Sequence, residues 1–325
     1  MRDVVTVSVD ALRDFWHPVA FSEEVGTAPS GVVLLEEQLC LWRDEGGVPV
    51  AMRDLCVHRG TPLTLGWVHG DEITCAYHGW TYRRDGMCTR IPSVPADRHI
   101  PPRARVNSYR VAERYGIVWV CLGDPRADLA AFPEFSDDAF HTFVRDHEDW
   151  DANAARLIEN FVDTAHFAWV HDGLLGRRDD PEVPPIAVRR KGHTIEVELE
   201  MAVKTDVHLG SSSVIWDQVT LPFSVRQVRT DPSGGRHIVF LAISPVTRKT
   251  LRRFLYKMRD FDLDAPDDRF IEKSRLVASQ DRGIVERQRP EELPVDLTAE
   301  LHVKGPDDAA LVYRKALAGL GVEVG

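Results

Sequence analysis

The 325-residue chain contains no apolar run near the roughly 18–20 residues that a membrane-spanning helix needs. Its opening stretch, MRDVVTVSVDALRDFW, lacks the hydrophobic centre of a secretory signal. A cytoplasmic protein without a membrane partner is therefore expected. Cysteine is scarce: Cys40, Cys56, Cys75, Cys88 and Cys121 are too few, and odd in number, for a disulfide framework. A reducing compartment suits such a chain, so cysteines in polar loops need another explanation. Positive charge is also in deficit. Lys and Arg number 40 against 51 Asp and Glu, a net charge of −11, which argues against nucleic acid as a partner because phosphate binding needs a basic surface. A single local arginine could still meet a small anionic substrate.

No internal repeat or low-complexity tract is present. Hydrophobic residues at 43% and charged residues at 28% are ordinary for a globular protein, and the length predicts two domains. From about Gly31 to Leu122 the chain reads as short β runs separated by turns, including GVVLL, EITCAY, GWTYRRDG and YGIVWVCLG. WDANAARLIENFVDTAHFAWV then predicts a helix, with Leu157, Ile158, Phe161, Val162, Ala165 and Trp169 at helical spacing. Further β runs follow Pro184, with a hairpin turn expected at DPSGG (231–235), and two helical segments close the chain. The reading is an α+β protein with an all-β domain over 1–130 and a mixed domain over 131–325.

The first domain carries Cys56-Val-His58 and, after sixteen intervening residues, Cys75-Ala-Tyr-His78. Each loop offers one thiolate and one imidazole. Zinc is the competing occupant, but zinc fingers usually pair cysteine with cysteine and histidine with histidine. Two mixed loops facing each other bring two sulfurs to one metal and two imidazoles to a second, the ligand set of a Rieske [2Fe–2S] cluster. Neutral imidazoles carry less negative charge than thiolates, so such a cluster accepts an electron more readily than an all-cysteine one. Gly60, Pro62, Gly66, Gly79, Gly86 and Pro92 suit tight loops around an inorganic core.

The second constellation is Asp163, His166 and His171. The i, i+3 spacing predicts Asp163 and His166 on one helical face, with His171 turned back at the helix end before Gly173. Two imidazoles and a carboxylate from elsewhere make the facial triad of non-haem Fe(II) oxygenases. The carboxylates after residue 200 include Asp206, Asp217, Asp260, Asp262, Asp264, Asp281 and Glu286. Asp281 lies in a helical segment near apolar Leu276, Val277 and Ile284, a setting that suits an inward-facing group, although spacing alone leaves the choice open.

With CVHRGTPL, CAYHGWTY, GMCTRIP, ENFVDTAHFAWVH and QDRGIVERQRPEELP in view, nearly the whole chain resembles the oxygenase (α) component of the Rieske non-haem iron oxygenases. Length and tail are most similar to the vanillate demethylase and dicamba monooxygenase branch. The resemblance implies a helix-grip-like catalytic domain, an antiparallel sheet with flanking helices, behind the Rieske domain. It implies Cys56 and Cys75 on one cluster iron, His58 and His78 on the other, and His166, His171 and Asp281 on a mononuclear Fe(II). Asp163 matches a bridging aspartate that links His166 to His78 of a neighbouring chain, and Asn160 stands near the iron.

The implied assembly is a head-to-tail α3 homotrimer, which is a heterologous contact closing on itself. The implied partners are O2, a small cyclic substrate and a separate NAD(P)H-dependent reductase, sometimes acting through a ferredoxin. The expected reaction is hydroxylation or oxidative demethylation. A cis-dihydroxylating dioxygenase and a C–H hydroxylase of specialised metabolites are alternatives. An electron-transfer Rieske protein would leave His166 and His171 without use, and a zinc-stabilised binding module would carry no iron. Pocket walls are expected from Leu157, Phe161, Val214, Trp216, Leu221 and Phe240, with Arg226 and Arg229 as candidate partners for a substrate carboxylate.

Overall fold

The computed structural model describes residues 4–201, 213–230 and 233–324. Asp206 and the first two residues of the expected 231–235 turn lie outside them. The chain divides into two compact units, one of residues 13–128 and one of 129–325 together with the segment ending at Leu12. That segment belongs with the second unit because Val5–Val7 pairs antiparallel with Val322–Val324. The first unit thus starts a dozen residues later than the sequence suggests.

The first unit is all β, in three small sheets. Arg110–Arg114, Ile117–Cys121 and His17–Phe21 form one; Ser30–Leu34, Glu37–Arg43 and Pro49–Arg53 form the second. Trp67–His69, Glu72–Thr74, Thr81–Arg83 and Cys88–Arg90 form the third. Trp42, Met52, Leu63, Ile73 and Tyr82 are buried together with Cys56 and Cys75, so the two cysteines of interest sit in the core, not in solvent.

The second unit is built on a seven-stranded antiparallel sheet. Its strands are β1 (His141–Trp150), β2 (Ala187–Lys191), β3 (Thr194–Met201), β4 (Ser213–Thr220), β5 (Ser224–Thr230), β6 (Arg236–Pro245) and β7 (Leu251–Arg259), in the order β1-β7-β6-β5-β4-β3-β2. Besides a short helix at Val9–Leu12, the described residues of this unit form α1 (Ala154–Val162), α2 (Phe167–Val170), α3 (Asp268–Val285) and α4 (Asp308–Ala318). Strand residues alternate between the two sheet faces. On one face Phe240 stacks on Phe132 at 4.3 Å, with Tyr256 edge-on to Phe132 at 5.6 Å. The opposite face, carrying Gln227, Arg229, Val239, Leu241, Leu255 and Lys257, lines a cavity of about 200 Å³.

Asn153 starts α1: its Oδ1 accepts from the amides of Ala155 and Arg156 at 3.0 and 3.3 Å, satisfying donors that the first turn leaves orphaned. The helix is pinned by buried arginines. Arg156 donates to Glu300 at 2.7 Å and to the Pro290 carbonyl at 2.9 Å, and Arg314 donates to Glu159 at 2.8 Å. No helix among the described residues is long and apolar enough to cross a membrane.

Candidate metal centres

The two Cys–His loops are built alike. The Cys56 amide donates to the Thr61 carbonyl at 2.8 Å, and the Cys75 amide donates to the Trp80 carbonyl at 2.8 Å. Within each loop a glycine four residues after the cysteine donates back to it, Gly60 to Cys56 at 2.9 Å and Gly79 to Cys75 at 3.0 Å. Both glycines hold positive φ, 72° and 69°, which a residue with a Cβ adopts only at a cost.

Inside this frame the sulfurs point inward and the imidazoles outward. Cys56 and Cys75 are each 2% exposed, and Tyr82 Oη lies 3.0 Å from Cys56 Sγ. Burial and the neighbouring Cys56 sulfur push the Cys75 thiol up, so its thiolate is favoured only with a cation beside it. The His58 and His78 rings lie 4.5 Å apart, edge to face, and His58 stacks on Trp80 at 4.6 Å. His58 Nδ1 is buried with no hydrogen-bond partner. An orphaned imidazole nitrogen beside a second imidazole, above two buried sulfurs, fits the donor set of a two-iron cluster with mixed ligands.

In the second unit the expected single helix is broken. α1 ends at Val162, and Asp163 takes an extended conformation with φ −83° and ψ 127°. The physical reason is the aspartate itself. Its Oδ1 accepts from the Ala165 amide at 2.8 Å, a local turn that competes with helix continuation. Asp163 and His166 therefore meet across a turn and not on one helical face, with Oδ2 3.2 Å from His166 Nδ1. Trp169, read as part of the apolar stripe, is 57% exposed for the same reason.

His166 then opens α2 and His171 closes it. The returning chain crosses this short helix so closely that a Cβ on Gly176 would stand 2.6 Å from the Ala168 amide nitrogen. Glycine is required there, a need with no local signature in the sequence.

His166, His171 and Asp281 converge, with one candidate ligand atom from each lying within 4.8 Å of the others. Asp281 Oδ1 is 3.0 Å from His171 Nε2 and 3.4 Å from His166 Nε2. The outer nitrogens are already engaged, His171 Nδ1 with Gln280 Oε1 at 2.8 Å and His166 Nδ1 with Asp163. When both rings are neutral with the proton on Nδ1, towards these acceptors, both Nε2 lone pairs face a carboxylate oxygen. That arrangement is repulsive unless a proton or a cation lies between them. Three donors of the kinds that hold non-haem Fe(II) thus surround one point. Burial lowers the affinity of His166 for a proton, yet the Asp163 and Asp281 carboxylates outweigh it and hold the pKa at about 9. Burial likewise opposes the charge on Asp281, and the two imidazoles overcome it, taking it down to about 2.

Among the other carboxylates considered, Asp217 accepts from Gln227 at 2.9 Å, Asp260 from Arg236 at 2.7 Å, Asp262 from Arg269 at 2.7 Å and Glu286 from Arg282 at 2.7 Å. Asn160 Nδ2 lies 3.5 Å from Asp281 Oδ1. Of the apolar neighbours expected around Asp281, Val277 lines the cavity, whereas Leu276 and Ile284 are exposed. Gln280 escaped the sequence reading, because a glutamine beside a carboxylate carries no signal of its own.

Leu157 and Phe161 line the cavity beside this triad. Val214, Trp216, Leu221 and Phe240 do not. Val214 is exposed, Trp216 lies under the Arg226 guanidinium at 5.2 Å, and Leu221 and Phe240 are buried elsewhere. Alternation along the strands explains Trp216 and Phe240: both point to the face opposite the cavity. Arg226 shares that face and donates to Glu134 at 2.8 Å, so of the two arginines considered only Arg229 reaches the cavity.

Comparison with known proteins agrees with both centres. Residues 15–110 match the Rieske [2Fe-2S] domain, and residues 150–323 match the Vanillate O-demethylase oxygenase C-terminal domain. The chain is 34% identical over 323 residues to methylxanthine N1-demethylase NdmA of Pseudomonas putida, covering 95% of this chain and 89% of that protein. It is 34% identical over 306 residues to the oxygenase component of dicamba O-demethylase from Stenotrophomonas maltophilia, covering 85% and 87%. The solved structure of Pseudomonas putida CBB5 NdmA with caffeine superposes with a TM-score of 0.84 at 30% identity, over 95% of this chain and 91% of that one. A domain family known for a mixed Cys–His iron–sulfur cluster at the front and an oxygenase family at the back leave one assignment: the chain belongs to the Rieske non-haem iron oxygenases, as an oxygenase α component working with a separate reductase, O2 and a small-molecule substrate.

Proposed function

We propose that this oxygenase removes a methyl group oxidatively, from nitrogen or oxygen, on a small cyclic substrate. The observation that carries the reading is the opening of the His166–His171–Asp281 triad onto a cavity of about 200 Å³ in which Leu157, Phe161, Val239, Leu241 and Leu255 supply apolar wall. Relatives at similar identity along nearly the whole chain are named for N- and O-demethylation. In this reading Cys56, His58, Cys75 and His78 hold the [2Fe–2S] cluster, and His166, His171 and Asp281 hold a mononuclear iron. Bound there, the iron supplies O2 activation with electrons that enter through the cluster.

The protein's own residues do the positioning. Gln280 and Asp163 take the outward protons of His171 and His166 and so fix which nitrogen each ring presents. Asn160 stands beside the Asp281 oxygen, and Leu157 and Phe161 keep water from the reacting carbon. The Asp163 side chain is 32% exposed and His78 lies at the surface of its own unit. That exposure supports a bridge from Asp163 to His78 of the partner subunit in a head-to-tail trimer.

Anaerobic purification followed by counting iron and acid-labile sulfide tests the centres: about three irons and two sulfides per chain are expected for a two-iron cluster plus one mononuclear site. Turnover with a surrogate reductase and NAD(P)H, scored for formaldehyde, tests the reaction. Product without formaldehyde would move the assignment to hydroxylation or dihydroxylation. A preparation lacking labile sulfide after anaerobic reconstitution would remove it altogether.

A further inference from the structure

The cavity beside the triad also carries charge that the demethylation reading does not use. Arg229, Arg253, Lys257, Arg269 and Lys273 all line the cavity, against Asp262 and Asp281. Two of these cations are already neutralised. Arg253 donates to Glu148 at 2.7 Å and Arg269 to Asp262 at 2.7 Å. Asp281 is committed to the two histidines. Arg229, Lys257 and Lys273 remain, and among the described residues no carboxylate lies within ion-pair distance of any of them.

Register brings these three together. Arg229 on β5 sits opposite His237 on β6, and Val239, two residues further along β6, sits opposite Lys257 on β7. The three strands thus present Arg229 and Lys257 on one sheet face. Lys273 comes from α3, which covers that face. It precedes Asp281 by eight residues on the same helix, a separation of roughly 12 Å along the axis.

Local counter-charge is weak. Burial lowers the Arg229 pKa, and Asp217 opposes this only at a distance. Asp217 is itself pushed up to about 7 by burial, so it offers little negative charge. Burial, with Arg253 and Arg229 nearby, takes Lys257 down to about 8. Arg229 Nε is fully buried without a hydrogen-bond partner. Three half-buried cations on one cavity, with Asp281 and Asp146 felt by Lys257 only at a distance, lack a contacting anion, and the cavity is where one would enter.

We propose that the substrate is a carboxylic acid whose carboxylate is held by Arg229, Lys257 and Lys273, with its ring across the apolar middle of the cavity and its reacting carbon at the triad. The assignment rests on the oxygenase reading of that triad and adds the chemical class of the substrate. Val239, Leu241 and Leu255 line the same cavity and offer apolar surface to the ring. Arg229 is the specificity-determining residue that a planar carboxylate meets with a planar donor pair, and the two lysines add point charge.

The test is calorimetric binding to the iron-loaded protein, anaerobic and without reductant, so that no turnover is needed. Two scaffolds, 4-methoxybenzoate and indole-3-acetate, are each compared with their uncharged primary amides. At least one acid is expected to bind about tenfold or more tightly than its amide, as loss of a buried charge partner commonly costs that much. The ratio should fall towards one in Lys257→Met and in Arg229→Met, with iron and sulfide content unchanged. Lys273→Met, on the helix and away from the sheet, should show the same loss if either strand variant folds poorly. An acid-to-amide ratio near one on both scaffolds, or no binding by either acid, overturns the proposal. So does a preference that survives all three substitutions. The iron and sulfide count is read on the same samples, so failure of the oxygenase reading shows separately as missing cofactor.

Discussion

His171 Nδ1 lies 2.8 Å from Gln280 Oε1, and Gln280 is the residue immediately before Asp281. One helical segment thus supplies a triad carboxylate and also holds the ring of a triad histidine. Replacing Gln280 by Leu removes the acceptor for the His171 Nδ1 proton and frees the ring to choose the wrong tautomer. Iron affinity at the mononuclear site should fall by about 10- to 100-fold, the usual cost of losing such a partner. Competition with a chromogenic chelator reads this directly, and the visible spectrum of the cluster should stay as it is.

Asp163→Asn leaves an oxygen that can still accept from the Ala165 amide, so the turn after α1 should survive. What it loses is the negative charge beside His166. Both metal centres should fill, while re-oxidation of the reduced cluster in the presence of substrate and O2 slows by about 100-fold or more, the scale at which a proton-coupled charge partner acts. Stopped-flow absorbance at the cluster bands measures it. Wild-type re-oxidation in this variant would refute the bridging role.

Iron uptake should depend on pH with a definite sign. Without iron, His166 stays protonated up to about 9 because two carboxylates flank it, despite the opposing effect of burial. Iron must displace that proton, so affinity should climb by about tenfold per pH unit as pH rises towards 9 and then level off. The same raised pKa stabilises the iron-free fold below the ordinary histidine value of 6.5, and that contribution is lost as pH rises through about 9. Iron-binding isotherms and thermal melts of the iron-free protein across this range should therefore slope in opposite directions.

Gly79→Ala forces a side chain into positive φ, where its Cβ would stand 3.0 Å from Pro92 Cγ. A loss of about 1–2 kcal/mol is expected from the backbone conformation alone. Gly60→Ala meets the same φ penalty without the proline contact, since its nearest neighbour is Leu55 Cδ1 at 3.7 Å. The first variant should bleach its cluster faster than the second on warming, followed by visible absorbance.

The candidate ligands were legible in the sequence because metal-holding residue types stand at short fixed spacings, as in Cys56-x-His58 and Cys75-x-x-His78. The β character of the first unit and the existence of α3 were legible from periodicity. Three things were not. The break at Asp163 depends on whether one carboxylate bonds its own backbone or points into solvent, and helical spacing is blind to that. The pocket wall depends on strand parity relative to a partner surface. A run such as VIWDQV offers apolar residues on both faces, and Trp216 proved to lie on the far one. Finally, Val5–Val7 pairs with Val322–Val324 across nearly the whole chain length, a pairing that no local pattern announces.

The twin loops around Cys56 and Cys75 are closed by main-chain bonds and by glycine geometry, with no outward side chain taking part in that closure. Val57, Arg59, Ala76 and Tyr77 project from the same loops and are exposed. Substitution at these four positions should therefore leave the shape of both loops intact, because what closes them is the main chain.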